Sequence, residues 1–192
     1  MSYQCQQLAD FICDTCLTPE KGRVRGVAFT KIGVDILDPS DPQVWKNIEC
    51  NKLGIIIPAV RGNYDGGSIL EGPGYGSQKF RQIGTDHTVV YNHLWSCENK
   101  DFYDSIREVS DYEFWMATES KIFRSVVAIS AQPTMPITDD VASELEFQVT
   151  VKWSQKQLPQ CYDIPGDIFE SCAAKEAVFN CLDCQPLSIG GC

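Results

Sequence analysis

Residues Glu144 to Trp153 alternate without a break: Leu145, Phe147, Val149, Val151 and Trp153 point one way, and Glu144, Glu146, Gln148, Thr150 and Lys152 point the other. A period of two is the mark of a strand with one buried and one wet face, so the pattern predicts a strand over 143–153. Weaker patterns of the same kind predict strands over Val24–Val34, Leu53–Val60 and Thr85–Ser96. In the last of these Val89, Tyr91, His93 and Trp95 share a side. Tyr112–Thr118 and Ile122–Gln132 read as a hairpin turning near Glu119-Ser120-Lys121, in one antiparallel sheet with 143–153.

Helical spacing is rarer. Lys100 to Val109 carries Phe102, Ile106 and Val109 on one face, with Asp101 as a candidate cap. Residues 168–180 suggest a C-terminal helix whose Ile168, Phe169 and Phe179 need a surface to cover. Residues 3–13 suit a short helix or turn. Asp38-Pro39-Ser40-Asp41-Pro42 and 132–140 read as loops from their Pro and Asp content. The segment 61–84 is rich in Gly and reads as a long loop. Loops of this length without structure of their own are usually functional, so an assembly or contact role is expected, with Tyr75, Lys79 and Arg81 as its contact residues.

The chain has 192 residues, which suits one domain. The expected division is an N-terminal Cys-containing segment (1–21), a β-core (22–155) and a Cys-rich C-terminal extension (156–192). No apolar run is long enough to span a bilayer, and the N-terminus lacks the basic and apolar regions of a cleaved leader, so no membrane association is expected. Net charge is −10, and it is unevenly placed. Residues 1–100 hold 10 basic and 11 acidic side chains, whereas residues 101–192 hold 6 and 15. That acidic half argues against tight nucleic-acid binding, which needs cations to replace phosphate counterions.

The candidate chemistry is thin. Cys13-Asp14-Thr15-Cys16 and Cys181-Leu182-Asp183-Cys184 are both C-x-x-C pairs. Cys13, Cys16, Cys181 and Cys184 could build a tetrahedral zinc site if the termini meet. Disulfides or merely packed thiols are the other readings, and no cofactor is expected. His87 and His93 would lie on one strand face without a partnering trio of ligands, so both read as polar strand residues. Gly72-Pro73-Gly74-Tyr75-Gly76 lacks the Gly-Lys-Ser/Thr ending of a phosphate loop. The carboxylates between Asp101 and Glu119 read as a solvated acidic surface rather than a catalytic pair.

In order, Gly72-Pro73-Gly74-Tyr75-Gly76, His87-Thr88-Val89-Val90-Tyr91, Asp101-Phe102-Tyr103, Tyr112-Glu113-Phe114-Trp115 and Phe147 to Trp153 form a pattern. Over about residues 22–155 it resembles the tail-tube and ring (neck) proteins of tailed bacteriophages, of the kind found in phages of Bacteroidetes. The resemblance implies a mainly β domain: an antiparallel β-sandwich or barrel with one short flanking helix, followed here by the C-terminal helix. It further implies a non-enzymatic virion protein that is assembled in the host cytoplasm. Copies would close into a homo-oligomeric ring of a tail, neck or tail tube, contact other virion proteins, and pass DNA without binding it tightly. The alternative is a Cys-stapled surface or extracellular module that recognises a glycan or protein. On either reading Phe147, Val149, Val151 and Trp153, together with Leu145, belong to the core.

Overall fold

The computed structural model describes residues 22–74, 76, 79–108, 110–137 and 144–186. They form two antiparallel sheets packed face to face, with two helices laid on the outer face of one of them and a third packed against the core between the sheets. The fold is thus mainly β, a sandwich with flanking helices. The first sheet runs, in spatial order, β10 (Gln160–Asp163), β7 (Lys121–Arg124), β6 (Tyr112–Ala117), β1 (Gly26–Lys31), β2 (Gly54–Ile57). The second runs β3 (Arg61–Tyr64), β5 (Phe80–Leu94), β9 (Glu146–Gln155), β8 (Ser130–Thr134), and β4 (Ser68–Pro73) also pairs with β5.

Alternation decides which face each side chain serves. In the second sheet Val89, Tyr91, Ala131, Phe147, Val149, Val151 and Trp153 point inward and are buried. They meet Val27, Phe29, Phe114 and Met116 from β1 and β6 of the first sheet. The first sheet is buried on its other face as well. There Ala28, Trp115 and Ala117 join Trp45 and Ile48 of α1 (Pro42–Cys50), and Ile168 and Phe169 from the turn Gly166–Phe169. Phe179 of α3 (Cys172–Phe179) completes this second core. Trp45 sits edge-on to both Trp115 and Phe169 at ring separations of 5.2 and 5.6 Å. A Trp on each side and an apolar β1 on both faces explain why this sheet cannot face water.

Several expectations are corrected. Ile122–Gln132 is not one strand: β7 stops at Arg124, and the chain crosses to the other sheet as β8. Val126, at φ 48°, makes the break. Strands 112–117 and 146–155 therefore lie in opposite sheets instead of one. Leu145 precedes β9 and stays 36% exposed, and its carbonyl accepts from the Trp95 N–H. Asp38–Pro42 is not only a loop. Asp41 caps α1 by accepting from the Gln43 N–H, with Pro42 at the first helical position. In α2 (Lys100–Glu108) Asp101 sits in the first turn and is not the cap, while Ser96 caps the preceding turn Cys97–Asn99. Residues 160–179 belong to the body, since β10 extends the first sheet and α3 covers it.

Candidate assembly surface

The expected loop 61–84 holds two strands, β3 and β4, and the start of a third, β5. β3 pairs with residues 89–92 and β4 with residues 80–86, along one edge of the 15-residue strand β5. Between them Asp65 turns the chain, its Oδ1 accepting from the N–H groups of Gly67 and Thr88. The glycines serve close approach. A Cβ on Gly67, whose φ is +87°, would lie 2.8 Å from the His87 ring nitrogen, and one on Gly62 would lie 2.7 Å from the Tyr91 Cβ.

β9 reaches only as far as Thr85. Beyond it, residues 80–84 and their β4 partners form a two-stranded ribbon that leaves the body by four to five residues, roughly 15 Å. This β4–β5 arm carries Phe80 and Ile83 at 64 and 53% exposure and Leu70 at the margin, with Ile69, 64% exposed, at its root opposite Thr85. A two-stranded ribbon is marginally stable alone, and apolar side chains concentrated on one mark a contact surface. The sequence held the signal: Ser68-Ile69-Leu70-Glu71 and Phe80-Arg81-Gln82-Ile83 flank a Gly-rich stretch from Gly72 to Gly76, the arrangement of a hairpin. Lys79 and Arg81 lie on the exposed arm, Arg81 opposite Gly72, and Tyr75 lies outside the described residues.

Among the described residues the cysteines do not gather as a four-thiolate set. Cys184 is joined to Cys50 in a disulfide, which removes it as a zinc ligand, and Cys181 is an exposed thiol. Cys13 and Cys16 lie outside the described residues. Among those described, no three His, Cys, Asp or Glu side chains cluster at metal-binding range.

Both histidines work as packing groups. His87 is fully buried in a cluster of near-parallel rings, 5.9 Å from Tyr64 and 5.1 Å from Trp153, which are themselves 6.2 Å apart. Its Nδ1 is 2.6 Å from the Tyr64 hydroxyl, while its Nε2 has no partner. Burial outweighs Asp65 and Asp86 and lowers its pKa, and burial pushes Tyr64 up to about 12. His93 is likewise lowered by burial against the pull of Glu146, and its Nδ1 lies 3.0 Å from the Tyr103 hydroxyl. A neutral His beside a protonated Tyr can hold a hydrogen bond, but it carries no charge to a surface.

Other polar groups are engaged structurally. Glu113 accepts from Arg124 through both Nε and Nη2, and that guanidinium lies 5.0 Å from the Trp115 ring. Asp104 pairs with Lys100 one helical turn away. A cleft of about 430 Å³ beside β2 is lined by Ile55, Phe102 and Tyr112, together with an ion pair between Glu49 and Lys175. Compared with protein-family models, curated proteins and solved structures, the chain matches none.

Proposed function

We propose that the chain is a structural, non-enzymatic subunit of a tailed-phage virion, closing with other copies into a ring of the tail, neck or tail tube. The exposed apolar β4–β5 arm carries this reading. Ile69, Phe80 and Ile83 stand in water on a ribbon whose own body gives them no cover, and a neighbouring copy would supply it. An arm on one copy meeting a different surface on the next is a heterologous contact, the kind that closes into rings. The acidic balance of residues 101–192 fits a conduit that DNA passes without sticking. Size-exclusion chromatography with light scattering tests the assembly, and an electrophoretic shift assay on duplex DNA at physiological salt tests the conduit. The reading predicts a multi-subunit species and no shift. Tight duplex binding would overturn the conduit.

One observation favours the alternative, a disulfide-stapled surface module that recognises a glycan or protein. The Cys50–Cys184 bridge suits an oxidising compartment. On that reading the protein stays monomeric at every concentration.

A further inference from the structure

Gln43, Asn47 and Asn51 are spaced four apart and form one stripe on α1 and its C-cap. All three hold the backbone of the segment after α3. Gln43 Nε2 donates to the Asp183 carbonyl at 2.7 Å, Asn47 Oδ1 accepts from the Gln185 N–H at 2.9 Å, and Asn51 Nδ2 donates to the Gln185 carbonyl at 2.8 Å. The stripe is braced internally, since Gln43 Nε2 also donates to Asn47 Oδ1 and Asn51 Nδ2 to the Asn47 carbonyl. The contacts read main chain rather than side chains, so they fix an extended segment in place without regard to its sequence.

Upstream, Phe179 is buried in the second core and Leu182 packs against it. From Asp183 to Pro186 every residue is exposed. What holds this stretch, besides the amide stripe, is Cys50–Cys184, and both of its cysteines are exposed. Two of the three bonds to the stripe, those of Gln43 and Asn51, are exposed, and water replaces them at little net cost; the Asn47–Gln185 bond is half-buried. The covalent bond is therefore the decisive tether, and a solvent-exposed disulfide is of the kind open to thiol exchange.

We infer that residues 183–186 form a strap released by reduction of Cys50–Cys184. A dithiol supplies the electrons. One thiolate attacks a sulfur of the bridge and forms a mixed disulfide, and the second thiol displaces the protein sulfur. The products are two protein thiols and one oxidised dithiol. The strap then leaves the stripe, and Gln43, Asn47 and Asn51 are uncovered as a backbone-reading face.

Hydrogen exchange on the full chain, with and without dithiothreitol, tests this. Alkylation and intact mass report the state of Cys50 and Cys184. Reduction should speed exchange of the Gln185 amide at least tenfold while β1 and β6 stay protected. A doubly substituted Cys50→Ser, Cys184→Ser chain should exchange like reduced protein without any reductant. Gln43→Ala should change nothing in the oxidised chain and speed exchange further in the reduced one. The inference is overturned if Gln185 keeps its protection after both cysteines are alkylated, or if β1 and β6 open together with the strap. It is equally overturned if Gln43→Ala alone frees the strap in the oxidised chain.

Discussion

His87 and His93 show what single residues contribute. Their folded pKa values lie below the ordinary 6.5, because burial disfavours the imidazolium. Above 6.5 both folded and unfolded chains hold neutral imidazoles and nothing is lost. As pH falls through 6.5 the unfolded chain takes up protons that the folded chain refuses, so stability falls. The slope is at most about 1.4 kcal/mol per pH unit for each proton refused. Thermal melts between pH 7 and 5 should show this decline, and His87→Asn, which keeps an acceptor near the Tyr64 hydroxyl, should make it shallower. An unchanged slope would mean that the buried ring is not the sensor. Val126 offers a second test. A β-branched residue at φ 48° is strained, and Gly relieves that strain at some entropic cost, so Val126→Gly should leave stability unchanged or raise it by up to about 1 kcal/mol in urea titration. Phe147 is 4% exposed, and Phe147→Ala should cost about 3–5 kcal/mol by the same measurement.

Elements that present one wet face were legible in the sequence. β9 alternates because Glu146, Gln148, Thr150 and Lys152 meet water or the sheet's outer surface while Phe147 to Trp153 fill the interior. Where burial is two-sided the period vanishes, as in β1, and only the strand's existence could be read. The crossing from β7 to β8 was hidden, because the stretch between them carries Val126, Val127 and Ile129 and no Gly or Pro to mark a turn. The Gly-rich segment was misread for the opposite reason. Its glycines answer to Thr85, His87 and Tyr91, partners distant in sequence. α1 was missed, because Asp41-Pro42, the cap and first-turn proline that mark its start, also spell a loop. The cleft beside β2 reveals how the edge of the first sheet is closed. The Ile56 N–H donates to Glu49 at 2.9 Å and its carbonyl accepts from Lys175 at 3.2 Å, while the two charges pair at 3.0 Å. An edge strand with satisfied backbone groups cannot recruit another strand. Glu49→Gln should therefore destabilise the fold by about 1–3 kcal/mol, because it leaves the half-buried Lys175 without its counter-charge. A double-mutant cycle with Lys175→Met should show coupling, and strictly additive losses would show that the edge closes by other means.

The whole molecule combines a three-layer body with a ribbon that the body does not cover. Both cores are filled by aromatic and branched side chains, α3 and the disulfide tie the C-terminal segment to α1, and the β4–β5 arm gathers exposed apolar side chains on one ribbon outside both cores. The candidate site was half legible. The segment drew the expected contact role, but its apolar residues were overlooked beside Tyr75, Lys79 and Arg81, since Gly suggested flexibility instead of a hairpin. Because the arm lies outside both cores, its side chains can be changed without touching the fold. Native mass spectrometry of the wild-type chain and of an Ile69→Glu, Phe80→Glu chain tests the account most directly. The account predicts a closed multi-subunit species for the wild type, and a monomer with an unchanged melting temperature for the variant. A wild-type chain that remains monomeric across the accessible concentration range, or a variant that assembles as the wild type does, would contradict it.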